Sequence, residues 1–229
     1  MKIEKERQVL VIFPHPDDEA FGVSGTIASH IANGTPVTYA CLTLGEMGRN
    51  LGNPPFATRE SLPLIRKKEL LAAAKAMGIK DLRMMGLRDK TIEFESDEKM
   101  TKLVSDLIQE LHPSLIITFY PGYSVHPDHE ATGRAVVRAV RQLKESQRPK
   151  LHCVAFSNNC EQELGEPNFI YDISAFKEQK LGAMKAHISQ TAWLLKEWEQ
   201  GLKQQDPAII QRIFFERFWS YQWERDAVQ

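Results

Sequence analysis

Apolar and β-branched runs of strand length alternate along the chain with stretches whose apolar positions recur at helical spacing. The strand-like runs are Gln8 to Phe13, Pro36 to Leu44, Leu82 to Met85, Leu115 to Phe119 and Leu151 to Phe156. Between them, Phe21 to Ala32 places Ile27, Ala28 and Ile31 on one helical face and stops at Asn33-Gly34. Leu64 to Met77 stops at Gly78, Asp97 to Leu111 stops before Pro113, and His129 to Lys144 forms a further helix. Strands alternating with helices predict a Rossmann-like α/β fold: a mostly parallel sheet with right-handed crossovers and helices on both faces. The common doubly wound strand order is 3-2-1-4-5. The last third reads differently, with helices at Phe176 to His187, Trp193 to Leu202 and Pro207 to Phe218. One domain over residues 1–229 is expected, its C-terminal part helical from about residue 174. The aromatic run Phe214, Phe215, Phe218, Trp219, Tyr221, Trp223 reads as packing.

Composition narrows the class. With 42% hydrophobic and 26% charged residues, the chain has the make-up of a soluble globular protein with an ample core. A formal net charge of -1 leaves no electrostatic footprint for nucleic acid. No apolar run approaches the roughly 20 residues that span a bilayer. The charged start, Met1 to Arg7, runs directly into a strand and lacks the apolar stretch of a signal peptide, so a cytoplasmic location is expected. Cys41, Cys153 and Cys160 form no CxxC pair and read as free thiols in a reducing compartment.

The chemistry gathers after two of the strands. Phe13-Pro14-His15-Pro16-Asp17-Asp18-Glu19 follows the first, and His126-Pro127-Asp128-His129 follows the fourth. Either cluster alone is equally well explained as a capped turn, since Asp after Pro is a common helix N-cap. In the 3-2-1-4-5 order, however, the first and fourth strands are neighbours, and ligands bind in the crevice beyond their carboxyl ends. Imidazole and carboxylate donors with an open position for water describe a catalytic zinc site. A carboxylate that is not a ligand can take the proton from that water. Spacing does not say which of Asp17, Asp18 and Glu19 binds metal and which acts as base. A two-His, one-carboxylate set also suits iron or another divalent metal. A magnesium phosphohydrolase would need oxygen ligands, against which three histidines in the clusters argue. The loop from Gly45 to about Thr58 is long for a compact domain, as functional loops often are.

The two motifs resemble the signatures of the PIG-L/LmbE family of metal-dependent N-acetylglucosaminyl deacetylases, which have the forms (P/A)HPDDE and HPDH. Weaker matches run across almost the whole chain: Thr43-Leu44-Gly45-Glu46-Met47-Gly48, Arg66 in the helix that follows, Asp89 after the third strand, and His187-Ile188-Ser189-Gln190. The resemblance implies zinc held by His15, Asp18 and His129, with Asp17 as general base. It also implies that a protonated His126 serves the oxyanion or leaving amine, and that Asp128 orients an imidazole. The segments GEMGRNLGNPPFATRE and FYPGYSVHPDH are similar to the branch that deacetylates N-acetylglucosaminyl-malate in bacillithiol biosynthesis. Substrate contacts are expected from Glu46, Arg49, Arg66, Asp89, Tyr123 and His187, with the arginines facing a malate carboxylate. Leu44 departs from the pattern, because the family often carries Arg there. The implied partner is a small sugar conjugate. Family members often form trimers or hexamers, but the residue pattern fixes no number. The rival readings are an amidase for another sugar or thiol conjugate, and a non-catalytic sugar- or metal-binding module.

Overall fold

Val9–Phe13 forms β1, a five-residue apolar strand buried along its whole length at the centre of the sheet. The computed structural model describes residues 3–225. The remaining strands are β2 (Val37–Cys41), β3 (Asp81–Met84), β4 (Leu115–Phe119), β5 (Lys150–Val154), β6 (Phe169–Asp172) and β7 (Phe215–Ser220). Their order is β3-β2-β1-β4-β5-β7-β6. The first five pair in parallel in the predicted order, and β7 joins β5 and β6 antiparallel. The helices are α1 (Asp18–Gly22), α2 (Ser24–Ala32), α3 (Leu62–Met77), α4 (Asp97–Leu111), α5 (Pro127–Arg141), α6 (Cys160–Leu164), α7 (Lys177–Ala186), α8 (Ile188–Lys203) and α9 (Pro207–Phe214).

Strand periodicity divides β1 between two cores. Val9, Val11 and Phe13 pack into a cluster with residues of α2, α3, α7 and α8, while Leu10 and Ile12 face a second cluster with α4 and α5. Helices on both faces explain why the central strands are continuous apolar runs rather than alternating ones. The chain leaves β1 for β2 on one side and returns through β4 on the other, so the crevice opens at their carboxyl ends.

The C-terminal expectation needs correcting. The predicted helix Pro207 to Phe218 ends at Phe214, and Phe215–Ser220 is a strand. Phe218 joins the first core and Trp219 the second, and Arg217 lies over the Trp219 ring on that side. That period-2 alternation, together with the aromatic content, favours a strand over a helix. Strand β6, which pairs with it, has no counterpart in the sequence pattern. It is a short, partly exposed edge strand, and such strands carry little hydrophobic signal. Among the described residues no helix is long and apolar enough to cross a membrane.

Candidate active site

Two loops at the carboxyl ends of β1 and β4 carry the cluster. Pro14 and Pro16 cannot donate to a strand ladder, so the chain leaves the sheet after Phe13. It turns into α1 through Asp17, which stands at φ 104. Val125 before α5 (φ 65) and Lys90 after β3 (φ 61) share this left-handed backbone. Non-glycine residues at positive φ persist only where their surroundings hold them, and three of the five among the described residues border this site.

The imidazoles of His15 and His129 face each other, with His15 Nδ1 3.2 Å from His129 Nε2. Asp18 completes the set: Oδ1 lies 3.2 Å from His129 Nε2 and Oδ2 3.5 Å from His15 Nδ1. Tetrahedral bonds of the usual zinc length, about 2.0–2.2 Å, put neighbouring donor atoms about 3.3–3.6 Å apart. The far nitrogen of each ring is anchored. His15 Nε2 lies 3.2 Å from Asp128 Oδ2 and 3.1 Å from Asp89 Oδ1. His129 Nδ1 lies 3.1 Å from the Ser124 carbonyl, and its ring stacks on Phe119. Donation from these outer nitrogens turns the inner lone pairs toward one point, the arrangement of a metal-binding histidine with an oriented second nitrogen. Asp128 is itself fixed, accepting the Lys90 and Ile92 N–H groups at 2.7 and 3.2 Å. Two overlapping donor groups, His15 with His126 and His129, and His15 with Asp89 and Asp128, are looser, with ligand atoms within 4.8 Å of one another. The closest convergence is His15, Asp18 and His129, and the donor set fits a divalent cation.

The electrostatics point the same way. Burial opposes a charged His15 ring, yet Asp128, Asp18 and Asp89 raise its proton affinity well above the ordinary value. Burial would raise the Asp18 pKa, but His129 and His15 hold it far below the usual carboxylate range. This is the field of a cation site. Asp17 behaves oppositely. Burial, with Asp18 nearby, pushes its pKa up to about 6 against the pull of Arg66.

His126 is the N-cap of α5, where the Asp128 N–H donates to its Nδ1 at 3.1 Å. In this arrangement Nδ1 accepts, which leaves Nε2 as the ring nitrogen free to face the cavity. Burial and the neighbouring His15 and His129 lower its pKa.

A cavity of about 690 Å³ opens over the cluster. His15, Asp17, Asp18, Asp89, His126 and His129 line it. Arg66 also reaches it, but its guanidinium is bound within the chain. Nη2 donates to Asp17 Oδ2 at 2.9 Å and to the Pro16 carbonyl, and Nη1 donates to the Gly45 carbonyl at 3.0 Å. The carboxylate that Arg66 meets in the structure is thus Asp17, where the sequence led to the expectation of a malate carboxylate. Gly45, at φ 63, admits this contact, because a Cβ there would lie 1.7 Å from Arg66 Nη1. Arg49 is exposed and lines the cavity. Glu46 is not among the lining residues. Its carboxylate accepts the Asp89 N–H, while Asp89 accepts the Met47 N–H, so the two loops lock each other. Tyr123 is also not among the lining residues, and its hydroxyl donates to Glu163 at 2.8 Å. His187 is fully buried, with Nε2 2.6 Å from Glu19 Oε1.

Sequence reasoning missed several lining residues: Phe21, Met47, Lys90, Phe156 and Gln190. Gln190 donates to the Asn50 carbonyl at 2.9 Å, and neighbouring Ser189 is held by Glu69. The start of α8 thereby pins the long loop against α3. The Ser-Gln pair after His187 was the available signal.

A family model described as "PIG-L: GlcNAc-PI de-N-acetylase" matches residues 10–140, more than half of the chain. A Bacillus subtilis protein is 51% identical over 218 residues, covering 95% of this chain and 99% of its own length. A Bacillus cereus protein is 52% identical over 219 residues, covering 96% and 100%. Both bear the name "Probable N-acetyl-alpha-D-glucosaminyl L-malate deacetylase 2". Among solved structures, the N,N'-diacetylchitobiose deacetylase from Pyrococcus horikoshii superposes with a TM-score of 0.70 at 26% identity, covering 94% of this chain and 84% of that one. The chain belongs to the PIG-L family of de-N-acetylases.

Proposed function

We propose that the protein is a zinc-dependent deacetylase that hydrolyses N-acetylglucosaminyl-malate to glucosaminyl-malate and acetate, as a cytoplasmic step of bacillithiol biosynthesis. The observation that carries this reading is the convergence of His15 Nδ1, Asp18 and His129 Nε2 within 3.5 Å beside the Asp17 carboxylate. It stands in a chain about half identical, end to end, to relatives named for that reaction. The whole chain serves as one deacetylase domain.

His15, Asp18 and His129 would hold the metal, with Asp128 orienting His15. Zinc bound there would supply a Lewis acid and lower the pKa of water toward about 7. Asp17 takes the proton from the attacking water, and a base near pH 6 suits that task. The water oxygen adds to the acetyl carbonyl carbon. The His126 Nε2–H then donates to the developing oxyanion. Asp17 returns its proton to the nitrogen as the C–N bond breaks, releasing amine and acetate. Arg49 reads the malate carboxylate from the exposed rim.

The test is release of acetate and free amine from N-acetylglucosaminyl-malate, N-acetylglucosamine and diacetylchitobiose, with chelator and with zinc restored. Metal-dependent release that strongly prefers the malate conjugate is expected. Preference for the chitobiose would move the chain to another substrate of the family. Release from none of them by zinc-loaded protein would contradict the reading.

A further inference from the structure

The loop that carries Asp17 is gripped by groups outside the cavity. We propose that Glu19 and His187 form a buried positioning pair for Asp17, setting the direction of its carboxylate through the Pro16–Asp17 peptide; this rests on the deacetylase reading of the site. The two polar ends of that one peptide unit are held from opposite sides. Its carbonyl accepts from Arg66 Nη2, and its N–H donates to Glu19 Oε2 at 3.1 Å. With this peptide plane held on one side and the Asp17 carbonyl held by the Ala20 and Phe21 N–H groups on the other, the φ of Asp17 is fixed, and it stands at 104. An aspartate released from such restraint relaxes toward negative φ, which swings its side chain away.

Glu19 can serve as this clamp because it is itself immobilised. It is fully buried, with Oε1 2.6 Å from His187 Nε2 and Oε2 accepting the Tyr39 hydroxyl at 2.9 Å. Tyr39 lies on β2 and His187 joins α7 to α8, so the clamp is referenced to the sheet on one side and the helical layer on the other. Neither Glu19 nor His187 lines the cavity, so neither touches substrate. Asp18 has its own restraint, because the His15 N–H donates to its Oδ2 at 2.9 Å. Disturbing the pair should therefore move the base and spare the metal ligands; because the Tyr39 hydroxyl also lies 3.3 Å from the His15 carbonyl, zinc content is read beside kcat in every variant.

The experiment compares kcat, KM and bound zinc per chain in His187→Ala, His187→Gln and Tyr39→Phe. A misplacement of the base by about 1 Å predicts a loss in kcat of about 100-fold for His187→Ala, with KM and zinc content unchanged. His187→Gln keeps an N–H donor toward Glu19 and should return most of kcat, which mere volume loss in a core would not predict. Tyr39→Phe should give an intermediate loss. If His187→Ala does not fold, Tyr39→Phe and His187→Gln decide. A kcat loss in Tyr39→Phe at full zinc loading supports the pair. Wild-type kcat in folded His187→Ala or Tyr39→Phe, or kcat lost only in step with zinc, overturns it. Wild-type protein that is zinc-loaded but inactive on every acetylated sugar overturns both the deacetylase reading and this one.

Discussion

An imidazole–carboxylate cluster stands at each end of the sheet. At the carboxyl ends of β1 and β4, His15 and His129 meet Asp18 under a cavity of about 690 Å³. At the amino ends of β4 and β5, His30 and His152 share a smaller cavity of about 210 Å³ with Glu4, Glu6 and Lys150. All four rings are largely shielded, so burial does not distinguish the clusters. The outer ring nitrogens do. His15 and His129 have theirs tied to Asp128, Asp89 and the Ser124 carbonyl, leaving inner lone pairs aimed together. His30 Nδ1 and His152 Nδ1 have no hydrogen-bond partner among the described residues. Glu6 is engaged by Ser114 and Lys150. At the first site the carboxylates raise the proton affinity of His15, whereas at the second burial lowers both rings to about 4. Convergence with anchored second nitrogens is a geometry that fits a cation. Burial without it makes neutral rings in a core.

The comparison breaks most sharply on the metal. His129→Ala should lose bound zinc and at least ~10³-fold in activity, since an open zinc site depends on all three protein donors. His152→Phe should retain both. Equal zinc loss from the two variants, read by elemental analysis, would erase the distinction. Asp17→Asn comes next: zinc stays bound while kcat falls by about 10²–10⁴, the range for removing a general base. Near wild-type turnover there would remove Asp17 from the role of base. Arg49→Ala is smaller. Loss of one charge-assisted contact should raise KM for N-acetylglucosaminyl-malate by about 10-fold and leave KM for N-acetylglucosamine unchanged. A parallel rise for both would place Arg49 away from the malate.

The smallest effect concerns the second cluster and leaves chemistry untouched. Unfolded, His30 and His152 take up protons near 6.5; folded, they resist until about 4. The unfolded state binds more protons in that window, so their contribution is whole above pH 6.5 and declines as pH falls toward 4. The decline is on the order of 3 kcal/mol per ring at most. Thermal melts from pH 7 to pH 4.5 should show a shallower fall for His152→Phe than for wild type. Identical slopes would mean that the ring is already solvated.

Chemistry was more legible in the chain than geometry. Both His-Pro-Asp clusters stand directly after apolar runs, and the 3-2-1-4-5 order, expected as the common doubly wound arrangement and present in the sheet, makes them neighbours. Partnership across the fold did not. Arg66 and Asp17 are 49 positions apart, so nothing local shows that the guanidinium is already neutralised. His187 and Glu19 are 168 positions apart, and their burial as a pair follows from how α7 and α8 pack. Tyr123 sits in the right loop, but its hydroxyl donates to Glu163. The strand Phe215–Ser220 was readable in principle, because Phe218 and Trp219 divide between the two cores. It was obscured by continuity with the helical pattern of Pro207–Phe214.

The convergent cluster, rather than the second one, is the proposed seat of metal-dependent deacetylation among the described residues. It is tested most directly by titrating zinc into chelator-stripped protein while following acetate release from N-acetylglucosaminyl-malate. Activity should rise linearly, saturate at one zinc per chain and follow the same curve in His152→Phe. Acetate release that is indifferent to chelation, or that saturates only at two zincs per chain and loses the second step in His152→Phe, would contradict it.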